Sequence, residues 1–505
     1  PEGLSSVRVM HGRPYLNVTL FYTLVTQLHG NPSFLTEQMG GEPLGFTPSV
    51  RPLSGLALVR AGVLMMREWR RVVRQGPANF VAMKDMAQTY RPDRIRNLSA
   101  KELAATLDRL GQWLDTHEVT FGIAGGVAQS LQAMGTFLPG WLGEDWRELL
   151  NASLQGQGSV ISAQHILRLA ELVEVASRES VVQRWFLREG WAASGFREAL
   201  AGTGFLRRFD EYLADYGHRA VGESDIMSPR IADQPDSVLM LLRTQLREGK
   251  AVPPGDVMTQ QAQRREAALA EIYRRFGWRR HRGVVFRWWY RRLSRFCALR
   301  EANRHHLLYY STAVRHLLLQ LGEQMVEQGI LTQPDDMFYL TMDERVALNE
   351  GASGDWQRLV RTRREQRTRD QNASVPDTVR DWEAVLEQGP SMTGQVDGGL
   401  LRGIAVSAGT TSGPVRIVRS TQDWQRVRPG DILVVPVIDP GMAPLFGIAA
   451  GLIAEMGGTL SHGAIIAREY GLPVLVNVPY ATTLLREDEP VHIVSSTGTI
   501  SRLVP

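Results

Sequence analysis

The spacing of apolar positions divides the chain into two textures. Through about residue 390, apolar residues recur at intervals of three and four, as in "KELAATLDRLGQWLDTHEV" (101–119), "HILRLAELVEVASRESVVQRWFL" (165–187) and "LMLLRTQLREG" (239–249). That period places one stripe of each segment on one side of a helix, and it predicts amphipathic α-helices packed on each other. An arginine-laced stretch from about 259 to 329 keeps the same spacing. Within it, "RWWYRRLSRF" (287–296) reads as a helix with a buried aromatic side rather than a binding stripe. Gly- and Pro-rich stretches at 40–54, 121–141, 217–236 and 250–256 predict loops between the helices. No segment repeats another.

Beyond 371–401, a stretch that ends poor in apolar residues and rich in Gly and Ser, the texture becomes β-like. Short runs follow one another: "GPVRIV", "DILVVP", "LIAEM", "PVLVNV", "VHIVSS" and "GTISRL", with helical pieces between some of them. The fold expected is therefore multidomain. A large, mainly α-helical domain over 1–390 precedes a linker at 391–400 and a small α/β domain at 401–505. One stretch of that small domain, "GGTLSHGAIIAREYGLP" (457–473), has a helix signature. Gly457 and Gly458 make a turn, Thr459 or Ser461 caps "HGAIIAREY", Gly471 suits the C′ position, and Pro473 opens the next strand. His462 then stands in the first helical turn, where unpaired N–H groups and the helix dipole favour an anion.

Composition narrows the class. A chain of 505 residues, 43% hydrophobic, can bury a large core and divide into two to four domains. The formal charge is +4 and the pI near 9.3. Lys occurs only at 84, 101 and 250, and acidic residues interleave with the many Arg, so the basic balance reads as compositional bias and no nucleic-acid partner is expected. The single cysteine, Cys297, excludes an internal disulfide and a multi-Cys zinc site, and it reads as a small core residue. No apolar run reaches the roughly 18–20 residues of a membrane span, and no signal peptide is evident, so a cytoplasmic protein without a membrane partner is expected. Pro1 suits either a natural start after loss of Met or the C-terminal portion of something longer.

The α/β part carries a specific set of residues. They are Gly430-Asp431-Ile432-Leu433, Asp439-Pro440, Pro444-Leu445, Gly457-Gly458, and Thr459-Leu460-Ser461-His462-Gly463-Ala464, continued by "IIAREYGLPVLVNV". This order resembles the swivelling phosphohistidine domain of the PEP-utilising enzymes, a family that includes PEP synthase, pyruvate phosphate dikinase and rifampicin phosphotransferases. The resemblance covers most of 401–505. It implies that His462 accepts a phosphoryl group from ATP on one domain, then swings to another and donates it. The residue chemistry agrees, since neutral imidazole is a competent nucleophile near pH 7. Thr459 would orient the ring, with Ser461 and Gly463 supporting the phosphohistidine. Two structural positions depart from the pattern: Ser495-Ser496 replaces the usual acidic residue or Asn followed by Gly, and Ala408 stands where a Pro is common.

A wider resemblance covers the helical part. "GRPYLNVTL" (12–20), "MGGE" (39–42), "YGHRAVGESDIMSPR" (216–230), "LREANR" (299–304) and "LTQPDDMFYLTMDE" (331–344) are similar, in the same order, to the substrate-binding region of the rifampicin phosphotransferases. The third of these, 216–230, holds His218, Arg219, Glu223 and Asp225 in a Gly-broken loop, either a substrate-binding cluster or a hydrogen-bonded knot between helices. "LREANR" puts Arg300 and Arg304 one helical turn apart with Glu301 beside them, either a clamp for a phosphoryl group or a solvated ion-pair face. The resemblance implies the clamp. Arg300 and Arg304 would neutralise the transferring charge, and Glu301 would place the acceptor or act as base.

Members of this family charge the histidine at an ATP-grasp domain. The chain has no Gly-rich phosphate loop before a Lys and no Glu-x-Asn magnesium site, and "GKAVPPGD" (249–256) lacks the P-loop spacing. ATP and Mg²⁺ are therefore expected through an ATP-grasp nucleotide-binding domain or subunit outside this chain, with no metal site inside it. The function implied is a dikinase-type phosphotransferase acting on a small-molecule acceptor held in the helical domain. An ATP-dependent condensing ligase of the prodigiosin-synthesis type and a non-catalytic small-molecule binding protein are the alternatives.

Overall fold

In a computed structural model of the chain, a helical part to residue 372 gives way to a β-sheet from residue 401. The structure describes residues 7–30, 50–154, 161–248, 254–372, 379, 401–407, 409–457 and 471–503. The linker expected at 391–400 lies outside them. The hairpin strands β1 (Val7–Met10) and β2 (Arg13–Leu16) come first. The principal helices are α1 Val18–Gln27, α2 Gly55–Thr89, α3 Ala100–His117, α4 Thr120–Leu142, α5 Trp146–Ser153, α6 Ile161–Arg178 and α7 Ser180–Leu187. They continue with α8 Gly204–Tyr216, α9 Asp236–Glu248, α10 Pro254–Phe276, α11 Arg280–Glu327, α12 Met342–Asn349 and α13 Trp356–Asn372. Among the described residues no helix is long and apolar enough to cross a membrane.

By contact the chain forms two units, one of residues 1–33, 43–123 and 306–393, the other of 34–42, 124–305 and 394–505. The first unit buries Leu103 and Leu110 of α3 against Leu317, Leu321 and Met325 of α11. Its helix starts follow local chemistry. Ser99 and Glu102 form a reciprocal capping box on α3, and Thr341 and Glu344 form another on α12.

The helical core of the second unit is aromatic, with Phe186, Phe205, Phe209 and Tyr212 buried among Leu169, Leu172 and Val238. One loop expectation is overturned here. Residues 121–141, read as a Gly- and Pro-rich loop, form α4. Gly126 serves packing rather than turning: a Cβ there would lie 2.3 Å from the ring of Phe296 on α11, so the small residue lets the two helices meet. The stretch 217–236 is a loop as expected, whereas α10 already begins at Pro254, within the loop expected at 250–256.

All six β-like runs form strands. The sheet holds β3 (Leu401–Arg402), β4 (Ile404–Ser407), β5 (Thr410–Ile417), β6 (Ile432–Val437), β7 (Gly451–Met456), β8 (Val474–Val476), β9 (Pro490–Val494) and β10 (Thr499–Arg502). Their order is β3-β10-β9-β5-β6-β7-β8-β4, with β5 to β8 mutually parallel and the flanking pairs antiparallel. The central strands are buried on both faces, which is why β6 and β7 read as continuous apolar runs. Alternation distributes them: Ile432, Val434 and Ile453 face one core, while Leu433, Val435, Leu452 and Ala454 face the other. That second core also takes in Trp424 of the α/β part and Leu241 of α9, with Val221 packed on it, so the helical part closes one side of the sheet.

Candidate functional site

The loop after α8 is built by its own polar groups. The N–H of Ile231 donates to Arg219 O at 2.8 Å and that of Ala232 to Gly217 O at 2.9 Å, drawing the two ends of the loop together. Asp225 accepts the N–H of Met227 at 2.9 Å, and the buried Arg230 donates from Nη1 to the carbonyl of Glu223 at 3.1 Å. The loop is therefore held in a defined shape, and that shape points the Glu223 side chain inward.

Glu223 is fully buried and shared by two guanidiniums. Arg219 Nε lies 2.9 Å from its Oε2, and Arg304 Nε, from α11, donates to Oε1 at 3.1 Å. Arg219 is as buried as its partner, whereas about a third of the Arg304 side chain is exposed (34%). Around them the rings form a chain. His218 meets His305 of α11 edge to face at 4.5 Å, His305 faces Tyr216 at 6.1 Å, and Tyr216 stacks on His165 of α6 at 4.4 Å. His165 Nε2 is 2.8 Å from the Tyr212 hydroxyl. Burial, with Arg219 adding to it, drives the His165 pKa down to about 3, so this ring is neutral and structural at ordinary pH.

The α/β part reaches the same cluster through Asp439. Val437 and Met456 pair at the C-terminal ends of the parallel strands β6 and β7, so Asp439 and Gly457 follow from one edge of the sheet. Asp439 Oδ2 accepts the N–H of Gly222 at 3.0 Å, and Oδ1 accepts that of Gly441 at 2.7 Å. Burial pushes its pKa up to about 6, with the charge on Glu223 in the same direction and the Gly441 N–H, Arg304 and Arg219 opposing.

The structure thus brings Arg219, Glu223 and Arg304 together and sets His218 beside them. Glu301 is buried on α11 and Arg300 half-buried one turn before Arg304. Thr459, Ser461, His462 and Gly463 lie outside the described residues. Among the described residues no group of three or more His, Cys, Asp and Glu side chains is placed to hold a metal ion. The sequence reading left two residues out of the site. Asp439 carried a signal, since Asp439-Pro440 belongs to the quoted motif set, but His305 was hidden as one more helical residue in "RHHLLYY".

Comparison with known proteins gives two matches to family models: the rifampicin phosphotransferase fourth domain over residues 120–301, and the mobile domain of PEP-utilising enzymes over 427–498. A rifampicin phosphotransferase from a Streptomyces species is 33% identical over 375 residues, covering 72% of this chain and 42% of the relative. The uncharacterized protein Rv2047c of Mycobacterium tuberculosis is 29% identical over 379 residues, covering 75% of this chain and 40% of its own length. A Bacillus subtilis rifampicin phosphotransferase is 27% identical over 301 residues, covering 57% and 34%. The chain spans less than half the length of these relatives.

Proposed function

Because the chain belongs to the PEP-utilising enzyme family, and is rifampicin phosphotransferase-like, we propose that it is the phosphoryl-carrying and acceptor-binding portion of a cytoplasmic dikinase-type phosphotransferase. The observation that carries the reading is the meeting of two parts of the sequence. The edge of the sheet from which the His462 segment departs lies, through Asp439, against the Arg219–Glu223–Arg304 cluster. About a third of the Arg304 side chain is exposed (34%), so its guanidinium can meet a phosphoryl dianion in transfer.

In this reading ATP and Mg²⁺ bind at an ATP-grasp domain or subunit outside the chain. The β-phosphoryl group passes to His462, and AMP and inorganic phosphate are released with consumption of water. Thr459, Ser461 and Gly463 support the phosphohistidine. The α/β part then swivels to the helical part. There the N–P bond to His462 breaks as a hydroxyl oxygen of a small-molecule acceptor forms its bond to phosphorus, and the hydroxyl proton passes to Glu301. Arg300 and Arg304 neutralise the transferring charge, while His218, Arg219 and Glu223 line the acceptor side.

The test is incubation of the chain with β-labelled ATP and Mg²⁺, with and without an ATP-grasp partner, beside His462→Ala. Intact mass and acid-labile phosphate are measured. The expected result is label that needs both the partner and His462. Label absent from His462 with a competent partner would sink the carrier role.

A further inference from the structure

At Gly441, where the α/β part rests on the helical part, the contact is main chain against main chain. A Cβ on Gly441 would lie 1.8 Å from the carbonyl oxygen of Ala220 and 2.5 Å from its carbonyl carbon, atoms that belong to the internally braced loop and cannot yield as a flexible side chain could. Two residues earlier, the Asp439 carboxylate ties the Gly441 N–H to the Gly222 N–H, one from each side of the contact. Between Ala220 and Gly222, Val221 packs on the core that holds Leu241 and Trp424. The apolar contact supplies area, which is non-directional, whereas the turn 439–441 fixes register to a fraction of an ångström.

We propose that the turn Asp439-Pro440-Gly441 is the registration element that seats the α/β part in its acceptor-facing position. Asp439 is the positioning residue, and the missing side chain at 441 permits the approach. The inference rests on the reading of 401–505 as a mobile carrier, and it adds the residues that define where the carrier stops. The Asp439 carboxyl faces Glu223 and Arg219 from the loop and Arg304 from α11. In solvent an Asp titrates near 3.9, roughly, while in the seated position its pKa stands at about 6. An acid whose pKa rises on seating takes up a proton as it seats. The seated population is therefore greatest below about pH 4, falls as pH rises to about 6, by up to about 10²-fold in the seating equilibrium, and is level above it.

The test uses the full chain, with Cys297→Ser and spin labels at the exposed positions Arg207→Cys on α8 and Thr483→Cys beyond β8. Pulsed-EPR distances are recorded at pH 5 and pH 8. The seated arrangement should give one narrow distance that broadens towards longer values at pH 8. Gly441→Ala and Asp439→Ala should broaden it at both pH values. Asp439→Asn is of the same size and uncharged, but it offers one acceptor oxygen where the carboxylate offers two, so it should lose the pH response. A Gly441→Ala protein with the wild-type distance overturns the proposal, and so does an Asp439→Asn protein with the wild-type pH response. No ATP enters this measurement, so its failure is separate from a failure of His462 to take label. Far-UV circular dichroism identifies a variant that has unfolded, and the isosteric Asn variant still decides the matter.

Discussion

Of the arginine–carboxylate clusters in the second unit, one lies inside the sheet part and another where the helical part meets it. In the first, Arg416 of β5 donates from Nε to Asp431 at 2.9 Å, from Nη1 to Glu487 at 2.9 Å and from Nη2 to Asp488 at 2.8 Å. The carboxylates are further occupied: Asp431 accepts the N–H of Arg428, and Glu487 accepts from Arg426 and from the N–H of Ile417. Carboxylates outnumber guanidiniums there. In the second cluster two guanidiniums divide one carboxylate, and Asp439 lies beside them with its pKa raised to about 6. A surplus of acceptors around a buried cation makes a lock that binds nothing else. A partly exposed guanidinium beside a buried one leaves a cation that an anion can reach. Ion pairing alone does not separate the two; the exposure of the arginine does.

The largest effect is expected at the lock. Arg416→Ala would leave Asp431 buried without its cation, at a cost of about 3–5 kcal/mol in the stability of the sheet part. Urea titration with hydrogen exchange on β5 and β6 reads it. A change within about 0.5 kcal/mol would break the comparison, because the two clusters would then be equally dispensable to the fold.

Arg304→Ala is the reciprocal case. Glu223 keeps Arg219 and the Arg304 side chain is already partly in solvent, so the expected cost in stability is only about 1 kcal/mol. Phosphoryl transfer from His462 to an acceptor should fall by about 10²-fold or more, with labelling of His462 itself retained. Single-turnover chase of labelled protein separates the two steps. Loss of stability without loss of transfer would move this cluster into the same class as Arg416.

The two clusters were unequally legible in the sequence. The strands around Arg416 were plain, because β6 to β8 are apolar on both faces and turn residues bound them, yet nothing in "PVRIV" announces that its Arg will be buried among three acids brought from 15 to 72 residues away. Arg219, Glu223 and Arg304 could be named as candidates from their local runs. Their convergence is tertiary, set by a loop whose ends are tied at Gly217 and Arg219 and by the angle of α11. Asp439 was visible as a motif residue and not as a site residue, since its role comes from what docks on it. The misreading of 121–141 has the same origin. Glycine marks a loop by local propensity and a helix contact by tertiary approach, and only Phe296 decides between them.

The smallest effect sharpens the scale from its exposed end. Glu344 of α12, in the first unit, pairs with Arg363 of α13 at 2.5 and 2.8 Å, and both side chains keep contact with water. The hydrogen bond from Arg363, with its charge and the Thr341 cap, lowers the Glu344 pKa to about 2 from the ordinary 4.5. A carboxyl whose pKa is depressed by folding contributes stability above its unfolded pKa and loses it as pH falls through the folded value, so the window runs from 4.5 down to about 2. Solvent screening holds the pair to about 0.5–1 kcal/mol. Glu344→Gln keeps a residue able to complete the capping box and removes the charge with one of the two acceptors of Arg363. The difference between wild type and variant in hydrogen-exchange protection of α12 and α13 should be present near neutral pH and vanish towards pH 2. A difference as large as that for Arg416→Ala would mean that exposure does not rank these pairs, and the contrast between lock and site would then need another cause.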